Sequence, residues 1–278
     1  VQAQSERNII GLYGQYQKAL FESTFLTLGL RYDDFSDIGS QVSPRLGLVQ
    51  ALNAHHSLKL LYGEAFRAPS ESELNLLNNP VLLGNPDLKP ETVQTWDIIW
   101  VGQWSQTGIS LGYFENHFDD SIVQTDMGNG TAQFQNIDQD PIQGTELELS
   151  HELNKHWLLR ASFTYITVKP DLSFREADQL GSVTANYQYN KLNASLIAAY
   201  TGERESSTSA SINNRINLDD YWLLFAKLQY DFTANLEVFI QAKNLLDENY
   251  LTPTASSTLS EGIPNRGREL LAGMSWKF

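Results

Sequence analysis

The chain has 278 residues, with 19 Lys plus Arg against 33 Asp plus Glu, a net charge of -14 and no Cys. That acidity excludes a nucleic-acid binder, which needs a basic face, and the missing thiols exclude disulfide scaffolds and thiolate metal sites. Hydrophobic residues make up 41% and mean hydropathy is -0.32. No run approaches the roughly 18 apolar residues of a membrane-crossing helix, so a helical membrane protein is excluded while a barrel of alternating strands is not.

The chain opens Val1-Gln2-Ala3-Gln4, without Met, a basic segment or an apolar segment. The expectation is a removed signal peptide or a start inside something longer, and the strand count favours the second. Apolar residues then recur with period two, the mark of strands with one apolar face. The first predicted strand covers residues 8–17. In the second, Leu26, Leu28, Leu30 and Tyr32 alternate with Thr27, Gly29, Arg31 and Asp33. The turn Asn53-Ala54-His55-His56 follows, then a long connection over 66–91. Trp96, Ile98 and Trp100 mark the next strand, followed by the short Ser105-Gln106 turn and a long connection over 119–130. Trp157, Leu159, Ala161, Phe163 and Tyr165 follow the Asn154-Lys155 turn, and 169–178 is a loop. Leu192, Ala194, Leu196, Ala198 and Tyr200 follow Asn190-Lys191, and 202–218 is a loop. After Thr233-Ala234-Asn235 and a loop over 245–267, the chain ends on Leu270, Ala272, Met274, Trp276 and Phe278.

Helical periodicity is almost nowhere. The strands are about nine to twelve residues long, the span of a tilted bilayer crossing. Trp and Tyr crowd their ends, as interfacial girdles would require, and connections alternate short and long, the outer-membrane rhythm. The sequence predicts an all-β, antiparallel transmembrane β-barrel in one domain over 1–278, with about thirteen strands. A large soluble β-sandwich or propeller with aromatic-rich edges is the alternative.

Six segments, in order, resemble a family. Tyr62-Gly63-Glu64-Ala65-Phe66-Arg67-Ala68-Pro69 resembles a Y-x-x-x-F-R-A-P segment, and Asn85-Pro86-Asp87-Leu88-Lys89-Pro90-Glu91-Thr92 resembles N-P-x-L-K-P-E-T. Ser43-Pro44-Arg45-Leu46-Gly47, Gly144-Thr145-Glu146-Leu147-Glu148 and Asn244-Leu245-Leu246-Asp247-Glu248-Asn249-Tyr250 match further strand and turn segments, and Phe278 supplies the terminal aromatic. Together they resemble the TonB-dependent outer-membrane receptors. The resemblance implies the C-terminal strands of a 22-stranded plugged barrel, in the bacterial outer membrane, with the plug, the TonB-contacting segment and the early strands outside this sequence. It implies as partners the TonB complex, an iron-siderophore or similar small ligand, membrane lipid with lipopolysaccharide, and the barrel assembly machinery. It implies no cofactor, no metal and no catalysis.

Candidate ligand-binding residues are the loop side chains Arg67, Asn75, Asn78, Asn79, Arg175, Arg204, Arg215 and Arg266. Arg31, Arg45, Lys59, Asp97, Glu146, Glu148 and Arg160 are expected to face the lumen and the plug, since Lys or Arg on the lipid face costs about 2–4 kcal/mol at midplane. A wet wall of cross-strand ion pairs explains them equally. In the family segments, Phe66, Arg67, Ala68, Pro69, Asn85, Pro86, Leu88, Pro90 and Glu91 are the matching residues. Their prolines restrict the preceding residue to extended shapes, so a structural loop anchor competes with ligand contact.

No His lies between Ser70 and Gly84, which counts against haem. His55, His56, His151 and His156 fall at short turns and His117 stands apart, so neither a metal site nor a rim catalytic set of a barrel enzyme is expected. The loops are acidic on balance, which favours a neutral or cationic ligand over a highly anionic one within a Debye length of about 8 Å. A ferric siderophore is the leading expectation, then cobalamin; a passive porin is the remaining alternative.

Four structural expectations follow. Glu148 and Arg160 should share one face on adjacent strands. Ala272, Met274 and Trp276 should be exposed. The 66–91 segment should be tied down, with Leu74, Leu76, Leu77, Val81, Leu82 and Leu83 folded inward. An odd strand count should leave open edges at the strands holding Ile10 and Met274.

Overall fold

The computed structural model describes residues 6–77, 79–207, 215–254, 259 and 261–277. Asn78 and Phe278, both named above, lie outside the described residues. In chain order the elements are β1 (Ile9–Phe21), β2 (Thr24–Phe35), β3 (Gly39–Ala51), β4 (His56–Arg67), α1 (Glu71–Asn75), β5 (Leu82–Leu83), β6 (Glu91–Gln103), β7 (Thr107–Asp126) and β8 (Ala132–Asn154). There follow β9 (Trp157–Val168), a 3-10 turn (Asp171–Ser173), β10 (Gln179–Tyr189), β11 (Leu192–Thr201), β12 (Arg204–Ser207) and β13 (Arg215–Leu218). The last are β14 (Tyr221–Asp231), β15 (Leu236–Lys243), β16 (Leu251–Thr252), β17 (Ile263–Pro264) and β18 (Glu269–Trp276).

Two compact units emerge: Val1–Ile99 with Tyr113–Gln143, and Trp100–Gly112 with Gly144–Phe278. β6, β7 and β8 give a segment to each. In the first unit β1, β2, β3 and β4 form an antiparallel meander. Period-two pleating sorts its faces. Leu12, Tyr32 and Val42 stand in line on one face; Gln15, Gly29, Arg45 and Gly63 stand in line on the other. In the second unit the order is β9-β10-β11-β14-β15-β18, also antiparallel. Ala194, Leu228, Ile240 and Ala272 share the apolar face, while Asn186, Ser195, Lys227 and Gln241 share the polar one.

Among the described residues no second layer covers the apolar faces. Met274 is 78% exposed, and Leu30, Ile240, Leu270 and Trp276 are exposed with it, as is Ala272. A globular monomer of 31.3 kDa would expose roughly 12,000 Å²; this chain exposes 17884 Å². The few buried apolar side chains, among them Leu74, Leu88, Phe174 and Leu218, lie in or beside the long connections. The soluble sandwich is therefore set aside, because its core would lie under the strands. β1 and β18 stand at the two ends of the strand order, with ladders only to β2 and β15 among the described residues. The principal path holds thirteen strands, as expected.

Several expectations are corrected. Residues 119–126 are not loop but the top of β7, and β7 and β8 run to 20 and 23 residues. About nine to eleven residues suffice to cross a bilayer, so these strands are longer than a crossing needs, and their backbone groups are satisfied by the β7–β8 pairing along that length. The short–long alternation breaks at β2–β3, joined by residues 36–38 alone, at the end where the other connections are long. A helix appears where none was predicted: Ser70 and Glu73 form the reciprocal capping box that begins α1, a signal present in the sequence as S-x-x-E. Finally, Leu77 and Val81 are 70% and 62% exposed, contrary to the inward fold expected. Leu74 is buried and Leu76, Leu82 and Leu83 are partly covered, because α1 and the β5–β8 pairing fix those positions and leave 77 and 81 at the outer bends.

Candidate functional site

Each unit has its own cluster in its long connections. In the first, β4 delivers Arg67 at its last residue and β6 begins with Glu91. The Arg67 guanidinium donates to Glu91 at 2.5 and 3.2 Å and to Glu73 of α1 at 2.9 and 3.1 Å. Glu91 also accepts from the Ile122 amide at 3.0 Å, and Glu73 from the Ser70 amide and hydroxyl. Glu91 first, then Glu73, pushes the Arg67 guanidinium further above its ordinary value. Burial alone would raise the Glu73 carboxyl, but the bonds from Arg67 and Ser70 outweigh it and hold it below the usual range.

The rest of the connection is laced to the β7–β8 hairpin. Asn85 donates to the Phe134 carbonyl at 3.1 Å, and Gln133 to the Gly84 carbonyl at 3.1 Å. Asn136 accepts from the Lys89 amide and donates to the Lys89 and Asp120 carbonyls. Phe66 packs edge-on against Phe35 at 5.6 Å, and Pro69, Leu88 and Pro90 are buried while Pro86 is exposed. Asn75 is spent on Glu71, and Asn79 on the Val81 and Leu82 amides. The family-motif residues are thus a structural brace, and the candidate ligand residues Arg67, Asn75 and Asn79 belong to it.

In the second unit three connections meet. Arg215 donates to the Asp171 carboxylate at 2.6 Å and to Glu205 at 3.0 Å, with its guanidinium 4.4 Å from the Phe174 ring centroid. Arg175 lies over the same ring at 4.6 Å. Lys169 pairs with Asp178 at 2.5 Å. Arg204 differs. It donates to the Leu251 carbonyl at 3.1 Å and sits 5.0 Å over the Tyr221 ring, but its buried Nε has no hydrogen-bond partner among the described residues. Tyr221 stacks on Tyr250 at 4.4 Å and 29°.

Tyr250 is placed by the turn that Asn244 organises. Asn244, 4% exposed, has φ +47, and Asp247 has φ +61, conformations that Asn and Asp tolerate better than most residues. The Asn244 side chain accepts from the Glu248 amide at 2.8 Å and donates to the Glu248 carbonyl at 2.8 Å and the Arg266 carbonyl at 3.4 Å. Arg266 in turn pairs with Glu269 at 3.1 Å, and Lys243 lies 3.7 Å from Glu269. Burial raises the Tyr250 phenol above its ordinary value, with Tyr221 and Glu269 adding and Arg204 opposing.

The structure thus gathers Arg175, Arg204 and Arg215 in one cluster and seats Arg266 beside Lys243 and Glu269. Tyr221, Phe174, Asn136 and Asn244 were not singled out from sequence as individual site residues. Asn244 and Tyr250 stood inside a recognised segment, and the other three carried no local signal.

The strand charges lie on the polar face. Arg31 is paired with Asp33 at 2.6 Å. Arg45 lies across Gly29, where a Cβ would collide with its side chain, while nothing stands within 4 Å of a Cβ at Gly63. Lys59 faces Val49 in register. The bond from Thr95 to Asn116 fixes the side of β6 on which Asp97 also lies. Glu148 and Arg160 line one recess with Ser162, Ser182 and Thr184, on one face as expected, and Glu146 shares that side of β8 with Glu148 by alternation.

In each unit, antiparallel strands with an uncovered apolar face and long connections that carry their own polar clusters define a membrane-barrel class of protein. Residues 1–245 match the family model described as TonB dependent receptor-like, beta-barrel, and the chain belongs to the TonB-dependent receptors. It is 27% identical over 275 residues to the vitamin B12 transporter BtuB of Vibrio vulnificus, covering 95% of this chain and 42% of that protein. It is 26% identical over 312 residues to the ferric enterobactin receptor PirA of Pseudomonas aeruginosa, covering 99% and 42%. The chain therefore spans about two fifths of the length of these relatives, which are transport receptors and not enzymes. Among solved structures, the ferric enterobactin receptor PfeA of Pseudomonas aeruginosa superposes with a TM-score of 0.84 at 20% identity, over 98% of this chain and 45% of that one. The siderophore receptor PirA of Acinetobacter baumannii gives 0.83 at 21%, over 98% and 46%. At those identities the likeness establishes the fold.

Proposed function

We propose that this chain is part of an outer-membrane receptor that binds a scarce nutrient through its long connections and imports it, energised through TonB. The family match over residues 1–245 carries this reading. The exposed apolar faces support a lipid surround, since soluble proteins rarely leave so much contiguous apolar surface in water. The polar face, with Arg31, Arg45, Lys59, Asp97, Glu146, Glu148 and Arg160, is then the lumen wall against which a plug would sit. Membrane lipid, lipopolysaccharide and the barrel assembly machinery are the partners such a location requires. Import needs no bond chemistry: ligand binding need only favour one state of the gate over another.

A ferric siderophore is the ligand we place first, supported by the relatives that are ferric enterobactin and ferripyoverdine receptors. Cobalamin is the second reading, supported by the Vibrio vulnificus transporter. The deciding experiment deletes the gene and supplies single nutrient sources. Growth lost on ferric siderophores alone, and restored by the gene, supports the first reading; growth lost on limiting cobalamin alone supports the second. A deletion strain unaffected on both, or a purified protein with a steady large conductance, would overturn gated import.

A further inference from the structure

On the apolar face of the first unit, two strands carry the same short pattern. Tyr62 and Glu64 stand seventh and ninth in β4, and Tyr113 and Glu115 stand seventh and ninth in β7. Each phenol donates to its own carboxylate, Tyr113 at 3.1 Å. Trp96 of β6 packs on Tyr62 with ring centroids 4.4 Å apart. Thr95 and Asn116 bond to each other on the polar side, so their chain neighbours Trp96 and Glu115 emerge on the apolar one, on adjacent strands. Glu115 is further held by His117 and Gln143, whereas Glu64 has Tyr62 as its hydrogen-bond partner among the described residues. Beside this pair a groove runs over the apolar face, lined by Tyr16, Leu28, Leu30, Pro44, Leu46 and Tyr62, with open space over Gly14. The β3–β4 ladder stops at the same place, at Arg45 opposite Gly63, where Pro44 offers no N–H to continue it.

We propose that this face holds one acylated glycolipid, its sugar against Trp96 and Glu64 and one acyl chain in the groove. This rests on the reading that the apolar face is surrounded by lipid. A strand crosses a bilayer in about nine to eleven residues, so the ninth position of each strand lies near headgroup level. A carboxylate facing lipid there needs hydrogen-bond donors. It can accept at about four lone-pair sites, and Tyr62 fills one of those on Glu64. A phosphodiester headgroup brings acceptors and negative charge, which Glu64 and Glu115 repel. Sugar hydroxyls and amide N–H groups donate instead, and a bond from such a group to an ionised carboxylate is stronger than one between neutral partners. The apolar face of a sugar ring also covers exposed indole surface, which Trp96 offers. Tyr62 belongs to both halves of the surface: its hydroxyl bonds Glu64 at the head, and the residue lines the groove that takes the chain.

The test is native mass spectrometry of the intact receptor in detergent with three lipid probes. They are a phosphorylated, acylated glucosamine disaccharide, the same lipid stripped of its phosphates, and phosphatidylglycerol. We expect both glycolipids to be retained, with or without EDTA, and phosphatidylglycerol at least tenfold more weakly. Glu64→Ala should weaken the dephosphorylated glycolipid at least tenfold, and Glu64→Gln by less, because one acceptor oxygen remains. Gly14→Leu, which has room for its side chain, should weaken it at least threefold by filling the groove. Asp87→Asn, in an exposed part of the 68–90 connection, should leave it unchanged. Heat-dependent gel mobility confirms that each variant barrel is folded. The proposal is overturned if phosphatidylglycerol binds like the glycolipids, which would make the face a general lipid annulus. It is overturned equally if removing the phosphates or adding EDTA abolishes binding, which would make the contact a phosphate bridged by a divalent cation. Folded Glu64→Ala that binds like the parent overturns it as well. None of these measurements involves transport. Glycolipid binding in a receptor that supports growth on no tested nutrient would break the import reading alone, and import without selective glycolipid binding would break this one alone.

Discussion

The two long-loop clusters use the same kinds of side chain to different ends. In the first unit, Arg67 is held by Glu73 and Glu91, and Glu91 also takes the Ile122 amide. Side-chain amides from Asn85, Gln133 and Asn136 then close on backbone groups of neighbouring segments. In the second unit, order comes from rings: Phe174 under Arg175 and Arg215, and Tyr221 between Arg204 and Tyr250. Four hydrogen bonds hold Arg67 between two carboxylates, while the buried Nε of Arg204 has no partner among the described residues. A cation in a loop is therefore weak evidence for a ligand until its partners are known. Arg67 and Arg204 look alike in sequence, and of the two only Arg204 has a buried donor without a partner among the described residues.

The largest expected effect tests what supports the ring stack. Asn244→Ala removes the bonds to Glu248 and Arg266 and forces Ala into φ +47. A cost of about 2–3 kcal/mol is expected from buried groups left unpaired and backbone strain. Asn244→Gly, which tolerates the backbone, should recover part of it. Thermal melts in detergent measure both, and equal losses in the two variants would show that the left-handed turn matters less than the bonds.

Next comes the direct contrast. Arg67→Gln leaves two carboxylates facing each other and should cost about 1–2 kcal/mol, reduced from a buried-pair value because the site is partly exposed. Arg204→Gln should cost about 0.5 kcal/mol or less, since it loses little satisfied polar contact. If Arg204→Gln destabilises as much as Arg67→Gln, the distinction between brace and open site fails.

A smaller effect should appear with pH. The folded Glu73 carboxyl is held below its ordinary value of 4.5, so its contribution to stability is present above that value and is lost as pH falls through the folded one. Hydrogen-exchange protection over residues 68–90, taken relative to the intrinsic rate at each pH, should fall on acidification through that window, and Arg67→Gln should flatten the dependence. An identical profile in the variant would remove Arg67 as the cause. Smallest of all, Leu77→Ser should change stability by no more than about 0.5 kcal/mol, because Leu77 is already 70% exposed; a larger loss would mean that the exposed bend is covered in the intact protein.

What the sequence determined by itself was everything governed by period two and by local chemistry. Alternation assigned Leu28, Leu30, Ala272 and Met274 to one face and Arg31, Arg45, Glu148 and Arg160 to the other, because a pleated strand leaves no third direction. Polar turns such as Asn190-Lys191 marked where strands reverse, and Asn190 indeed takes φ +50. Even the missed helix had its capping residues in plain order at Ser70 and Glu73. What only the tertiary structure decided was which polar groups satisfy one another. The extension of β7 to Asp126 depends on pairing with β8, and the polarity of residues 119–130 suggests a loop until that partner is present. The difference between Arg67 and Arg204 rests on Glu73 and Glu91 in one case and on Leu251, Tyr221 and Tyr250 in the other. Those partners lie 6 to 47 residues away along the chain, and a hydrogen bond falls off within a few tenths of an ångström. No spacing rule carries that information; the folded loops do.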